Sequence, residues 1–464
     1  MNKIISLVAA ASLLATAGSS CGIYKKYDTP TDTPLTQAYA DARSQAPDST
    51  AFGNLLWEDV FTDPILAHYI STALNQNTSL RNAMLNVDIA HAQLRGARLA
   101  YLPSVALAPN GAGASYAGSD INWTYQLPVQ VSWEIDIFGK LLNSKRSAQE
   151  SFYLSEAYAR AARSQIIAAV ANTYYGLWAT RAQLDLARST AEVWKQTVST
   201  MEDFKLVGNV TEAAVVQSRA QYYSILSTIT DLEQAADKLN NTLCLLLNRL
   251  PDTQLETVSG DGDKALQIGI DPSTGVPMNQ LAWRPDVEAA ERQLAVAYYA
   301  TSGARAAFYP GLTINATGGF TNLLGSFVQN PGDWFYQLAA SLVAPLFSRG
   351  RNIAALQAAK ATQKQAMNSF EYTLMKAAAE VSDALVVYTK SSEKEEYLAQ
   401  QVSNLEKAAD YSMDLLRYNQ PGTTYLDVLT AQSNLLQSRM NAISSRLAQA
   451  QAVINLYQAL GGGR

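Results

Sequence analysis

The sequence is short of charged side chains, histidine and cysteine. Charged residues make up 16% of the 464 residues, against about 25% in an average soluble domain. Two histidines and two cysteines are too few for a multi-ligand zinc site, a disulfide framework or a Cys/His catalytic pair. A net charge of -5 without a basic block argues against a nucleic-acid partner. We therefore predict neither an enzyme nor a metal site. Hydrophobic residues make up 48% of the sequence, which is enough to form a large core.

A long apolar run is also absent, since no stretch of about 18 apolar residues follows the N-terminus. The first 20 residues resemble a signal peptide, with Lys3 before a short apolar stretch and small residues leading into Cys21. A cysteine at this point resembles a bacterial lipobox, where the thiol receives a lipid and becomes the mature N-terminus. We expect this covalent lipid on Cys21 to be the only added group. An ordinary signal peptide with an incidental cysteine is the alternative.

Residues 21–56 lack periodicity, and we predict that they form an extended, lipid-anchored segment. Cys244 lies in an apolar run and is predicted to be packed. The isolated His68 and His91 are predicted to be structural or exposed rather than ligands.

The rest of the chain is an internal duplication. Residues 96–103 recur with substitutions as 303–310, at an offset of 207 residues, and two further matches follow at an offset of 211 residues. We predict a first repeat over 57–250, an equatorial linker over 251–278 and a second repeat over 279–464. Each repeat should contain a helix, two strands and a long helical hairpin.

The strand prediction depends on strict alternation of apolar and polar residues. From Tyr125 to Ile137 every second residue is apolar, so a strand there has one apolar and one polar face. A membrane sheet and a soluble sheet packed on a core both show this pattern. The predicted strands cover about 103–117, 123–137, 309–323 and 333–347.

The long helices are predicted from missing helix breakers, because Arg351 to Gln420 contains neither glycine nor proline. A helix of that length would extend on the order of 100 Å and needs a partner helix. Four strands cannot close a spanning barrel, which needs about eight, and an open sheet edge is prohibitively costly in lipid. If these strands enter a membrane, two or three copies of the chain would therefore have to contribute their strands to one barrel.

Six motifs in matching order resemble the TolC-like outer-membrane factors, closest to the lipid-anchored NodT-type efflux lipoproteins. The motifs span nearly the whole mature chain: Trp57 to Pro64, Ser132 to Lys140, Arg284 to Val287, Ala344 to Arg351, Tyr425 to Gln432 and Ala459 to Gly463. The resemblance implies a mainly α fold with membrane strands, in a homotrimer whose twelve-stranded β-barrel continues into an α-helical barrel. It also implies a location in the bacterial outer membrane, with extension into the periplasm.

The function implied by this resemblance is the passive exit duct of a tripartite efflux pump. Its implied partners are a periplasmic adaptor (a membrane fusion protein), an inner-membrane RND-type transporter and outer-membrane lipid. The outer-membrane component of a type I protein secretion system and a structural coiled-coil lipoprotein are the alternatives.

Two turns from strand to helix repeat an aromatic residue, a glycine and a cation, which suits a membrane–water boundary. A generic strand–helix turn would explain the glycine alone. The boundary candidates are Phe138, Gly139, Lys140, Phe347, Gly350 and Arg351.

The second hairpin tip matches the region that closes the duct in the family. The gate candidates are Arg417, Tyr418, Tyr425, Asp427 and Thr430. Three facing copies of Asp427 would repel one another, although a solvated helix residue is the alternative. Relatives often carry a second aspartate at the position of Thr430 and some an arginine near Thr424, so this gate should be less charged. The adaptor-contact candidates, which any hairpin turn could resemble, are Gly208, Asn209, Pro421 and Gly422.

Overall fold

Two helical hairpins of matching length follow two groups of strands in the computed structural model. The structure describes residues 24–44, 52–115, 117–118, 120–251, 253–257, 278–321, 333–418 and 424–463. The predictions for Cys21, Pro421 and Gly422 lie outside these residues. None of the described helices combines the length and the apolar character needed to cross a membrane.

The described elements follow one another in a helix–strand–helix order that occurs twice. The helices are α1 (Pro34–Arg43), α2 (Trp57–Val60), α3 (Pro64–Gln76), α4 (Thr78–Leu99), α5 (Lys140–Leu206), α6 (Glu212–Leu246), α7 (Met278–Leu281), α8 (Pro285–Ala306), α9 (Arg351–Arg417) and α10 (Tyr425–Ala459), with a 3-10 turn at Phe52–Asn54. The strands are β1 (Ser104–Leu107), β2 (Asn110–Ala114), β3 (Asn122–Ile135), β4 (Gly311–Thr321) and β5 (Asp333–Val343).

The predicted duplication is confirmed by the helix lengths. The two long helices, α5 and α9, contain 67 residues each, and the two returning helices, α6 and α10, contain 35 each. The turn between α9 and α10 is two residues longer than the turn between α5 and α6. Within the two hairpins the length difference therefore lies in the turns, and the helices have equal lengths.

One predicted strand is interrupted. Instead of a single strand over about 103–117, the structure has β1 and β2, which both pair antiparallel with β3 in one continuous register. The break falls at Ala108 and Pro109, which lie opposite Pro128 and Leu127 of β3. The Ala108 N–H still donates to the Pro128 carbonyl at 3.0 Å, but Pro109 has no backbone N–H to donate, so the regular ladder is interrupted at this point. The described chain thus has five strands where four were predicted.

The sheet is antiparallel throughout, with β1 and β2 at one edge, followed by β3, β4 and β5. Its strands end earlier than the predicted boundaries at 137, 323 and 347. In the sheet centre, Gly319 of β4 lies opposite Pro128 of β3. A Cβ atom on Gly319 would lie 2.7 Å from the Cα of Pro128 and closer still to the carbonyl oxygen of Leu127. Only glycine allows the two strands to approach this closely.

The described chain divides into two units that do not coincide with the two sequence repeats. The first unit contains residues 24–30, Leu85–Glu156 and Glu288–Tyr372, and it includes the whole sheet. The second contains Thr31–Met84, Ala157–Val287 and Thr373–Arg464. Each repeat contributes to both units, so neither repeat is a structural domain by itself.

The N-terminal segment, predicted to be extended over 21–56, contains the helix α1. Thr33 caps this helix, because its side chain accepts from the backbone N–H of Thr36 and its own N–H donates to the Thr36 hydroxyl. Pro34 occupies the first helical position, where its missing N–H costs nothing. The sequence interpretation relied on missing periodicity over the whole segment, and it did not identify this short helix within it.

In the second unit, the Arg-Pro-Asp motif holds the end of α10. The Arg284 side chain is only 6% exposed and donates to Asp286 at 2.7 and 3.0 Å, to Glu380 at 2.6 Å and to the Ala459 carbonyl at 2.7 Å. The last contact satisfies a carbonyl that has no partner within the helix. Burial alone would raise the pKa of Asp286, but the hydrogen bonds and charge of Arg284 outweigh it and hold the pKa below its usual value.

Cys244, also in this unit, is buried, with its thiol 3.3 Å from the Thr253 carbonyl.

Replacing Gly319 should destabilise the sheet. We expect Gly319→Ala to cost roughly 1–3 kcal/mol of folding free energy, because the new methyl group displaces the backbone of β3. Gly318→Ala is the matched control, since its Cβ would lie 3.6 Å from the nearest atom, an ordinary contact. Thermal unfolding followed by circular dichroism measures both, and equal stability of the two variants would contradict the close approach.

Replacing Arg284 should destabilise the second unit in a pH-dependent way. Arg284→Met should cost roughly 2–3 kcal/mol, because a buried cation and its four hydrogen bonds are lost. The lowered pKa of Asp286 means that its stabilisation is present above its ordinary value of 3.8 and is lost as the pH falls through the folded value.

Chemical denaturation at a series of pH values measures this effect. The wild type should lose stability in the acidic range more steeply than Arg284→Met. Arg439→Met, which removes a half-exposed ion pair with Glu406, is the control and should cost less than about 1 kcal/mol. A loss for Arg284→Met no larger than that control would show that the Arg284 network contributes little.

Candidate functional site: sheet faces and hairpin tips

The strand register sorts the side chains of the first unit into an apolar and a polar face. Across the sheet, Val105, Val131, Ala316 and Leu338 stand side by side. The next row contains Ala106, Gln130, Thr317 and Gln337 and points to the opposite side. The alternation noted in the sequence therefore continues from strand to strand as two faces of opposite character.

The apolar face is exposed in the single chain. Val105 is 67% exposed, Leu338 73% and Tyr336 77%, and Trp334 stacks on Tyr336 along the same strand with ring centroids 5.8 Å apart. A soluble sheet with one polar face normally buries its apolar face against a core. An apolar surface of this extent requires a lipid or protein environment.

Both edges of the sheet are open in the described chain. The strand β5 pairs with β4 on one side, and β1 and β2 pair with β3 on one side. The outer backbone groups of these edge strands are free to pair with another strand. The sheet thus combines an apolar face with edges that can be extended.

The two strand–helix turns differ in their packing. Gly139 and Gly350 both have positive φ values, 71° and 77°, in the region that favours glycine. Phe138 stacks on Tyr309 with ring centroids 5.1 Å apart, whereas Phe347 is 85% exposed. The cations differ as well, because Lys140 pairs with Glu134 at 2.7 Å and Arg351 is the exposed first residue of α9.

The tip of the first hairpin, in the second unit, is held by two ion pairs between α5 and α6. Lys205 pairs with Glu212, and Arg219 pairs with Glu202. The turn itself is closed at Gly208, with a φ of 78°, and by the Asn209 N–H, which donates to the Phe204 carbonyl at 2.8 Å. The hydrogen bond and charge of Lys205 hold the pKa of Glu212 below its usual value.

These ion pairs were not predicted from the sequence. The signal that could have found them is the placement of opposite charges on either side of Gly208, at positions that face each other once the hairpin closes.

In the second hairpin, Asp427 is a helix cap. Its Oδ2 accepts from the backbone N–H and from the hydroxyl of Thr424, both at 2.8 Å, which forms a capping box at the start of α10. These two hydrogen bonds hold the pKa of Asp427 below its usual value. Thr424, noted for its possible place in the gate, thus has an observed role as the N-cap.

The remaining gate candidates do not form one cluster. Arg417 pairs within its own helix with Asp414 at 3.8 Å, and Tyr418 is exposed. The Tyr425 hydroxyl donates to Gln217 of α6 at 3.3 Å, and Thr430 is exposed on α10. The structure therefore brings Tyr425 to the first hairpin and Asp427 to Thr424.

The duplication shows how the two tips differ. The positions equivalent to Lys205 and Glu212 are Leu416 and Tyr425. The positions equivalent to Glu202 and Arg219 are Met413 and Gln432. Both ion pairs of the first tip are thus replaced by uncharged residues in the second, which leaves the second tip less tightly cross-linked.

The two histidines are exposed and lie in different units, His68 on α3 and His91 on α4. His91 is in ring contact with Phe152 at 5.8 Å. Within the described part of the chain, no group of three or more histidine, cysteine or acidic residues is placed to hold a metal ion.

Comparison with known proteins shows which family the chain belongs to. The family model described as "Outer membrane efflux protein" matches residues 69–249 and 276–462, which together cover most of the chain. The chain belongs to the outer membrane efflux protein family. The resemblance to outer-membrane factors is confirmed, and this family member is an outer-membrane component of an efflux system, as predicted.

Curated relatives align with this family member over nearly its whole length. The "Toluene efflux pump outer membrane protein TtgF" of Pseudomonas putida is 30% identical over 97% of this chain and 95% of its own. The "Probable outer membrane lipoprotein SilC" of Salmonella typhimurium is 27% identical over 93% of each chain.

Solved structures show the same fold. A crystal structure of CusC superposes with a TM-score of 0.82 at 25% identity, over 94% of this chain and 99% of the other. The open state of the MtrE outer membrane channel of Neisseria gonorrhoeae superposes with a TM-score of 0.77 at 26% identity, over 90% and 94%. The predicted outer-membrane-factor fold is therefore confirmed.

Removing the Asp427 cap should change the resting channel. We expect Asp427→Ala to raise the conductance in planar bilayers, because the first turn of α10 loses both hydrogen bonds to Thr424. The lowered pKa of Asp427 means that the wild-type cap persists above its ordinary value of 3.8. Wild-type conductance should therefore rise only when the pH falls through the lower, folded value.

Asn434→Ala, at an exposed position two turns further along α10 and outside the gate candidates, is the matched control and should leave the conductance unchanged. If the Asp427→Ala channel has the same conductance as the wild type, Asp427 is not part of the gate.

Proposed function

We propose that the chain assembles as a homotrimer that forms a passive exit duct across the periplasm and the outer membrane. Three sheets would join edge to edge into a closed ring, with the apolar faces toward lipid and the polar faces toward the lumen. The hairpins of α5 with α6 and α9 with α10 would continue this ring as a tube. A periplasmic adaptor and an inner-membrane RND-type transporter would complete the pump.

The observation that supports this proposal is the open sheet with one apolar and one polar face. Because β1 and β2 share one register against β3, the sheet has four strand positions. Spanning barrels need about eight strands, and unpaired backbone groups are costly in lipid. Two copies would supply eight strand positions and three would supply twelve, and the family resemblance favours three.

The start of the described chain supports lipidation at Cys21. The Tyr24 hydroxyl donates to the Ile137 carbonyl just after β3, and Arg146 donates to the Tyr24 carbonyl at 3.0 Å. The Tyr27 N–H donates to the hydroxyl of Tyr299 at 3.0 Å. The chain therefore leaves the first unit close to the end of a strand, where the proposed membrane boundary lies. A lipid on Cys21, three residues before Tyr24, would reach that boundary.

The hairpin tips would face the partners of the pump. We place the periplasmic gate at the second tip, around Asp427, Tyr425 and Tyr418, because the positions equivalent to the ion pairs of the first tip are uncharged there. The adaptor would contact the turns themselves, at Gly208 and Asn209 in the first hairpin and at Pro421 and Gly422 in the second.

A charge placed on the apolar face tests the membrane ring. Leu338 lies at the middle of β5, so Leu338→Arg should oppose insertion by roughly 2–4 kcal/mol and reduce the amount of heat-resistant trimer extracted from outer membranes. The adjacent Gln337→Arg on the polar face is the matched control and should insert normally. Its conductance should shift toward anions, because the new charge would line the lumen.

Mass measurement of the detergent-extracted protein and planar-bilayer conductance provide the two readouts. Insertion of Leu338→Arg equal to that of Gln337→Arg would contradict the lipid-facing assignment. Wild-type protein that stays a non-conducting monomer or dimer would contradict the trimeric duct.

A further inference from the structure

The segment that follows β5 in the first unit exposes two apolar side chains and then two cations. Leu346 is 96% exposed, and Phe347 next to it is also largely exposed. Arg349 and Arg351, the latter on α9, are exposed as well. The sequence contains no aspartate or glutamate from residue 334 to residue 370. An apolar pair and two cations without a neighbouring acid in sequence therefore share one short stretch of surface.

The two cations have no partner within the described part of the chain. No hydrogen bond, ion pair or ring contact among the described residues involves the side chain of Arg349 or of Arg351. Hydration by water satisfies an ordinary surface arginine. It does not explain why these two directly follow a pair of large side chains that avoid water. The combination of exposed apolar groups and free cations points to a ligand that has both an apolar and an anionic part.

The internal duplication provides a comparison within the same unit. In the first repeat, Lys140 at the start of α5 pairs with Glu134 of β3 at 2.7 Å. The next arginine of α5, Arg146, donates to the carbonyl of Tyr24 at 3.0 Å. The first repeat thus supplies acceptors for these cations from the chain itself. The second repeat keeps cations after its strand, but residues 334–370 supply no carboxylate for them.

The apolar pair continues the apolar face of the sheet. Leu342 lies four residues after Leu338 on β5, so the two side chains share a face, and Leu342 is also exposed. Leu346 and Phe347 extend this surface beyond the end of the strand, and the arginines come next. In a bilayer, apolar side chains reach into the hydrocarbon and long cationic side chains reach the polar boundary, where the lipid phosphates lie.

We propose that this segment, residues 344–351, binds an anionic phospholipid. The phosphate accepts hydrogen bonds from Arg349 and Arg351, and the acyl chains cover Leu346 and Phe347. Guanidinium groups present paired N–H donors that match phosphate oxygens. The inference rests on the proposed function in that it takes the apolar face of β5 to face lipid.

Two simpler ligands fit this surface less well. Free phosphate would neutralise the arginines but would leave the apolar pair in contact with water. A zwitterionic phospholipid carries its own ammonium group, which weakens its attraction to a pair of cations. An anionic phospholipid satisfies both parts of the surface.

Lipid titration of the full-length, detergent-solubilised protein tests the site. Native mass spectrometry counts the molecules of phosphatidylglycerol bound per chain as the lipid concentration is raised. Arg349→Gln and Arg351→Gln should each weaken the binding roughly fivefold, and the double variant roughly twenty-five-fold, because each cation contributes separately to the attraction of an anionic lipid.

Two matched controls remove an exposed cation elsewhere in the first unit. Lys140→Gln removes a cation that Glu134 already neutralises, and Lys360→Gln removes one from further along α9. Each control should change the binding of phosphatidylglycerol less than about twofold, as expected for a surface charge away from the site. Phosphatidylcholine should bind more weakly to the wild type and should not distinguish the variants.

Several results would overturn the lipid site. One is equal binding of the two lipids by the wild type, and another is unchanged binding of phosphatidylglycerol by the double variant. Complete displacement of phosphatidylglycerol by inorganic phosphate would show that the arginines bind a free anion. A trimer that binds no phosphatidylglycerol would show that a second copy of the chain covers this segment.

The same spectra separate this inference from the proposed duct, because they also give the oligomeric state. A wild-type chain that stays monomeric but binds phosphatidylglycerol through the two arginines would contradict the trimeric duct and support the lipid site. A trimer that binds both lipids equally would contradict the lipid site alone.

Discussion

The need to pair backbone groups in lipid is the constraint on which the proposed assembly depends. A strand that enters a bilayer cannot leave its N–H and carbonyl groups without partners. The sheet of one chain offers too few strand positions to meet this need, and its apolar face and its two edges are open. Joining three sheets would remove the open edges and place every exposed apolar side chain of that face against lipid. The oligomer is then a condition for the fold of the strands rather than an addition to it.

The duplicated helices show how one structural plan can serve two roles. Both hairpins keep helices of 67 and 35 residues, so their positions can be compared one by one. The first tip has the pairs Lys205–Glu212 and Glu202–Arg219, whereas the second has uncharged residues at all four equivalent positions. The two hairpins therefore have equal helix lengths, but the first is cross-linked by ion pairs at its tip and the second has none at the equivalent positions.

The main elements could be predicted from the sequence because their signals are local. Alternation from Tyr125 onward predicts the two sheet faces, and the lack of glycine and proline after Arg351 predicts the long helix. The break in the first strand falls at Ala108 and Pro109, where Pro109 has no N–H to donate to β3, and this interruption was not recognised from the alternation alone. The helix α1 was missed because it is only ten residues long in a segment without clear periodicity, and its start depends on the Thr33 cap and on Pro34 in the first turn. Asp427 could be assigned to the tip, but its bond to Thr424 required the backbone geometry.

The tight fit of Gly319 against Pro128 has a consequence for how the sheet forms. A slip of two residues between β3 and β4 would keep the apolar face intact, so hydrophobicity alone does not exclude it. Such a slip would place Thr317 or Thr321 opposite Pro128, where there is no room for a Cβ atom. This single contact therefore selects one register of β3 against β4. Strand pairs that form with a register shifted by two residues would be destabilised by the steric overlap and would separate again.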